Sequence, residues 1–192
     1  MLRRIMEALA RVMATLGGLV LTALIVMTCL SIFGRFLNGV LHSDLLDGTG
    51  LAVWLLSLGI GPINGDFELI EAGMAFTIFA FLPITQLRDG HAAVDIFTNM
   101  LGEGVNRVLS VLWATLFAAV LILIAWQLWQ GTQAKMRYGE TTYLIQFPIW
   151  WAYAAALVGA VLSALVGTYV ALVRLTELAT GTPIIASDGA EQ

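Results

Sequence analysis

Charge is what this 192-residue chain has least of: 11% of its residues are Asp, Glu, Lys or Arg, against 59% hydrophobic, with a mean hydropathy of +0.89. An ordinary soluble domain carries about a quarter charged residues, so the deficit excludes a soluble enzyme domain and makes this a membrane protein. Cysteine is almost absent, and the single Cys29 forms no intrachain disulfide. The net charge of −4 supplies no basic patch, which argues against a nucleic-acid partner. No serine has a plausible histidine base nearby, and no glycine-rich loop follows a strand to cradle phosphate. Catalytic chemistry therefore has few residues to draw on.

Long uncharged runs are what the sequence has instead. At about 1.5 Å per residue, a helix of about 20 apolar residues crosses the roughly 30 Å hydrocarbon core. Four segments meet or approach that length, over 12–35, 68–88, 107–132 and 147–173. The first lies between Arg11 and Arg35, and its length predicts an uncleaved anchor rather than a signal peptide. The second is short between Glu71 and Arg88, so Glu68, Glu71 and Arg88 are expected at the two interfaces, with Pro83 as a kink near its inner end. The fourth opens with Pro148 in its first turn. The expected fold is an all-α membrane protein over residues 1–192, with four transmembrane helices plus short interfacial amphipathic segments.

Residues 41–65 are uncharged around Trp54 but broken by five glycines between 48 and 65 and by Pro62. They read as an interfacial or re-entrant segment. With four spans and cytoplasmic N and C termini, Arg3, Arg4, Arg11, Arg88, Arg107 and Arg174 lie inside, which satisfies the positive-inside tendency. The tail 176–192 is then cytoplasmic. Trp126, Trp129, Tyr138, Tyr143, Trp150, Trp151 and Tyr153 cluster around the third connection as an outer aromatic belt.

The one dense cluster of polar side chains, Arg88, Asp89, His91 and Asp95 in "LRDGHAAVD", falls on this topology in an inner loop. Arg88, Asp89 and Gly90 end a helix. Val94, Phe97, Met100 and Leu101 then recur at helical spacing, predicting an amphipathic surface helix. The other histidine, His42, is placed across the membrane from His91, so a paired-histidine haem site is disfavoured, and no Cys/His spacing suggests zinc. In the fourth span Ala155, Gly159, Ser163, Gly167 and Ala171 repeat every fourth position. Such a small-residue ridge lets another helix approach closely, within the bundle or in a partner subunit.

"IFGRF", "FELIEAG", "RDGHAAVD" and "YLIQFPIWWAY", in that order, resemble the small membrane subunit (DctQ-like) of tripartite ATP-independent periplasmic, or TRAP, transporters. Residues 41–65 depart from that pattern, replacing a much shorter connection. The resemblance implies a non-enzymatic scaffold in a bacterial inner membrane. Its implied partners are the lipid bilayer, a large multi-spanning TRAP membrane subunit that works as an elevator, and a periplasmic substrate-binding protein that brings an organic acid. It implies no cofactor in this chain, with sodium in the large subunit. The rival reading, a membrane-anchor subunit of a respiratory oxidoreductase, lacks the histidines on facing helices that it needs. A self-contained exporter would show inverted repeats or polar residues along its helices, and neither is present. One specific contact is expected: Arg35, ending the first span, pairs with Glu68 or Glu71, which open the second.

Overall fold

The computed structural model describes residues 2–43, 50–57, 59, 61–88 and 103–180. They form α1 (Leu2–Leu41), α2 (Gly50–Ser57), α3 (Asp66–Leu87), α4 (Glu103–Tyr138) and α5 (Ile149–Thr180). Among the described residues there is no strand, only an isolated bridge between Thr141 and Pro148. Four helices are long and apolar enough to cross a membrane, namely α1, α3, α4 and α5.

Each helix outruns the apolar stretch that predicts it. The 40 residues of α1 span about 60 Å at about 1.5 Å per residue, twice the hydrocarbon thickness. Its first turns are polar, with Glu7 between Arg3 (2.8 Å) and Arg11 (3.5 Å). Its threonine hydroxyls donate back to the helix, Thr22 to Gly18 O at 2.8 Å and Thr28 to Leu24 O at 2.7 Å, so neither is left unpaired in hydrocarbon. Pro83 lies inside α3 and is buried; the helix continues past it, and the Arg88 N–H donates to Ile84 O at 3.2 Å. The residue 41–65 segment contributes α2, with Val53 and Trp54 exposed, lightly packed on α1.

The packing order is α1, α3, α5, α4. The first packs on α3, α3 on α5 and α5 on α4, whereas α1 and α4 share no packed interface. The reason lies in α3, whose residues turn about 100° each. Gly73, Thr77 and Ala80 share one side with Asp66. On that side a Cβ on Gly73 would sit 2.7 Å from Leu24 Cδ1, and a Cβ on Gly17 2.8 Å from Ala80 Cβ. Phe79 and Gln86 point about 200° away, toward α5. Small residues of α3 on one side (Gly73, Ala80) and of α5 on the other (Gly159, Gly167) let α1 and α5 pack on opposite faces of the central helix, and with only a light contact between α1 and α5 the result is a layer one helix thick rather than a closed bundle. Accordingly the most apolar stretches of α1 and α4 are only 11% buried within the chain, against 44% in α5.

Candidate functional site

At the end where α1 stops and α3 begins, three polar side chains meet in an apolar setting. Ser31 is fully buried and donates its hydroxyl to Asp66 Oδ2 at 2.6 Å. Arg35, one turn later on α1, donates to the same oxygen at 2.7 Å and lies 5.9 Å from the centre of the Phe67 ring. Asp66 Oδ1 accepts the Phe67 N–H at 2.9 Å, and Ser31 Oγ accepts the Ile63 N–H at 3.3 Å. The chain reaches this position by crossing α1 at Gly34, where any Cβ would collide with the Gly61 carbonyl oxygen. It then turns through Gly65, at φ 76°, into α3. Asp66 sits in the first turn, where the helix dipole favours a carboxylate.

Arg35 therefore pairs with Asp66, and the expected pair with Glu68 or Glu71 is corrected. Helix α3 starts two residues earlier than the sequence suggested. Glu68 and Glu71 stand about 200° and 140° around the helix from Asp66, on the side away from α1. The signal that identifies Asp66 was present in "NGDFE": a glycine able to turn the chain, then acids in a first turn.

Glu68 has a different task. Its Oε1 accepts the Leu144 N–H at 2.6 Å and its Oε2 the Ile145 N–H at 3.0 Å, tying the α4–α5 connection to α3. That connection is closed on itself. The Thr142 N–H donates to Phe147 O at 2.9 Å, the Phe147 N–H to Thr142 Oγ1 at 3.0 Å, and the Ile149 N–H to Glu140 O at 3.1 Å; Lys135 pairs with Glu140. Pro148 bridges to Thr141 immediately before α5, and Trp150 meets Trp151 edge-on at 5.7 Å. Glu71 is exposed, beside a groove of about 300 Å³ between α3, α4 and α5 that Phe79, Leu128, Phe147 and Ala156 help line.

The small-residue ridge of α5 is spent inside the chain from Gly159 to Ala171, while Ala155 at its start is exposed. Gly159, Ser163 and Gly167 are buried against α3, with a Cβ on Gly159 falling 2.8 Å from Phe79 Cβ. Ser163 Oγ is shared between Phe79 O at 3.0 Å and Gly159 O at 2.8 Å. Gln86 lies over Gly167; it is buried, and its Nε2 has no hydrogen-bond partner. At the opposite end of the layer, Arg88 closes α3, and the partly buried Arg174 pairs with the buried Glu177 at 2.8 Å. Sequence reasoning missed Ser31, Asp66, Gln86, Arg174 and Glu177 as interacting residues, and Gly17, Gly34 and Gly73 as crossing points. Asp89, Gly90, His91, Asp95 and the expected amphipathic helix lie outside the described residues.

Among the described residues no three His, Cys, Asp or Glu side chains come together as a metal site. The polar groups that do meet hold helices and a loop in place, and the chain is a multi-pass membrane protein built around structural contacts. Residues 24–178 match the family described as tripartite ATP-independent periplasmic transporters, DctQ component, and the chain belongs to it. This is the small membrane subunit of TRAP transporters, a transport component and not an enzyme family. No curated protein and no solved structure matches the chain. The family is one component of a tripartite system, so the chain has partner subunits, and the oxidoreductase reading has no support.

Proposed function

We propose that this chain is the fixed scaffold of an ion-driven importer of an organic acid in a bacterial inner membrane. It holds a large, multi-spanning, elevator-type subunit against one of its faces and helps to dock a periplasmic substrate-binding protein. The observation that carries this reading is the one-helix-thick layer. A closed bundle would satisfy its own apolar surface, whereas α1 and α4 leave most of theirs to the surroundings, with Leu19, Phe33, Phe36, Leu123 and Trp126 all well exposed. Part of that surface meets lipid, and the large subunit covers the rest.

The coupling sodium is assigned to the large subunit, because Ser31, Asp66, Glu68 and Ser163 are already engaged in helix and loop contacts. Charge supports the orientation. Arg3, Arg4, Arg11, Arg88, Arg107 and Arg174 belong to one end of the layer and only Arg35, Lys135 and Arg137 to the other, a bias that supports cytoplasmic termini. The test is reconstitution. Sodium-driven uptake is expected only when this chain, the large subunit and the binding protein are together, and this chain is expected to copurify with the large subunit. Uptake by this chain alone overturns the scaffold reading.

A further inference from the structure

We infer that the loop 139–148 is a preformed docking knob for the periplasmic substrate-binding protein, with Tyr143 and Leu144 as its contact tip and Glu68 as the residue that presets its shape. The inference rests on the tripartite reading above and assigns one part of the docking surface to named residues.

The loop lies beyond the helices that cross the membrane, since α4 ends at Tyr138 and α5 begins at Ile149. Its backbone is held from three directions. The pairing of Thr142 with Phe147 and of Glu140 with Ile149 closes it from within. Glu68 accepts two successive main-chain N–H groups from α3. Ile145 packs on Gly65, where a Cβ would stand 2.5 Å from its Cγ2. One residue is strained to complete the shape, Gln146, at φ 51° without being glycine. The side chains at the tip are left bare: Tyr143 is 92% exposed and Leu144 61%.

Anchoring in headgroups asks only for aromatic side chains at the right depth, which Trp150 and Trp151 beside the loop already supply. It does not ask for a fixed backbone. A defined conformation with a bare tyrosine and leucine at its apex is what recognition by a folded protein uses, because an ordered loop loses little freedom on binding and tyrosine is among the residues that dominate such interfaces. On the proposed orientation this end faces the periplasm, where the soluble component of the transporter is the substrate-binding protein.

The experiment uses the complex of this chain with its large subunit in nanodiscs and measures docking of the binding protein. Tyr143→Ala and Leu144→Ala are expected to leave assembly intact and to weaken docking at least about tenfold for the tyrosine. Glu68→Leu is expected to speed hydrogen exchange at the Leu144 and Ile145 amides and to weaken docking similarly, while Glu71→Leu changes neither. If Glu68→Leu fails to assemble, the tip variants, which alter bare side chains, decide the matter. Wild-type docking with unchanged docking of both tip variants overturns the knob and leaves the tripartite reading standing. No docking by the wild-type complex overturns both. Quenching by brominated lipid that is greater for Tyr143→Trp than for the parent complex and is unaffected by added binding protein also overturns the knob, by assigning the tip to the membrane.

Discussion

Replacing Gly159 with alanine measures how tight the seam between α3 and α5 is. The new Cβ would lie 2.8 Å from Phe79 Cβ and 3.2 Å from the Phe79 carbonyl carbon, where carbons settle at about 3.5–4.0 Å. Neither neighbour is the far end of a flexible side chain, so the helices must part by roughly 0.7–1 Å. Overpacking of this kind costs typically about 1–3 kcal/mol. One turn away, the same movement stretches the bond from Ser163 Oγ to Phe79 O beyond its 3.0 Å, and an interhelical bond of this type is worth about 0.6 kcal/mol in a membrane protein. Against this stands alanine's helix preference over glycine, about 0.8–1.0 kcal/mol in water. The clash wins, with a net loss of roughly 1–2 kcal/mol. Gly18→Ala is the control, because a Cβ there meets nothing within 4 Å, and it should lose no stability. The assay is reversible unfolding of the purified chain in bicelles. Ser163→Ala alone should lose about 0.6 kcal/mol. Adding it to Gly159→Ala should cost almost nothing more, since the bond is already broken. Equal stability of the Gly159 and Gly18 variants, or full additivity of the double variant, would refute the reasoning.

Asp66→Ala should impair assembly with the large subunit more than Glu71→Ala does, and exchanging Arg35 with Asp66 should restore part of it; pull-down of the large subunit reads both outcomes. Gly65→Ala should destabilise by about 1–2 kcal/mol from its left-handed backbone alone, plus a clash with Ile145. The Ile145→Ala background should relieve only the clash, which separates the two contributions in the same unfolding assay. Gly167→Leu should disrupt the α3–α5 seam, because a side chain there meets Gln86 at 2.6 Å. The same change at exposed Gly39, with nothing within 4 Å, should be tolerated in a thermal melt.

The four crossing helices were legible because hydrocarbon imposes a length and a polarity that composition alone must satisfy. Their ends were less legible. α1 runs to Leu41, six residues past Arg35, since one arginine near an interface does not stop a helix whose backbone bonds are all internal. The ridge of Gly159, Ser163 and Gly167 was visible as a pattern, but whether it met the same chain or another did not follow from its spacing. The Arg35 partner was missed because a pairing argument from depth alone treats all acids near one interface as equivalent, whereas 100° per residue places Asp66 and Glu68 on opposite sides of α3.

By itself, then, the sequence determined the class of protein, the number of helices able to cross the bilayer and the residues small enough to let helices touch, all consequences of the solvent that surrounds each segment. The family followed from short stretches in a fixed order along nearly the whole chain. Only the tertiary structure decided the order α1, α3, α5, α4, the open layer it produces, and the division of labour between Asp66, which faces Arg35 and Ser31, and Glu68, which holds the loop at Leu144 and Ile145. The physical reason is that neighbours in space are chosen by which helix faces can approach most closely, and that depends on pairs of surfaces such as Gly17 on Ala80 and Gly159 on Phe79. Each such pair joins residues more than sixty positions apart, and neither member carries a sign of the other in the chain around it.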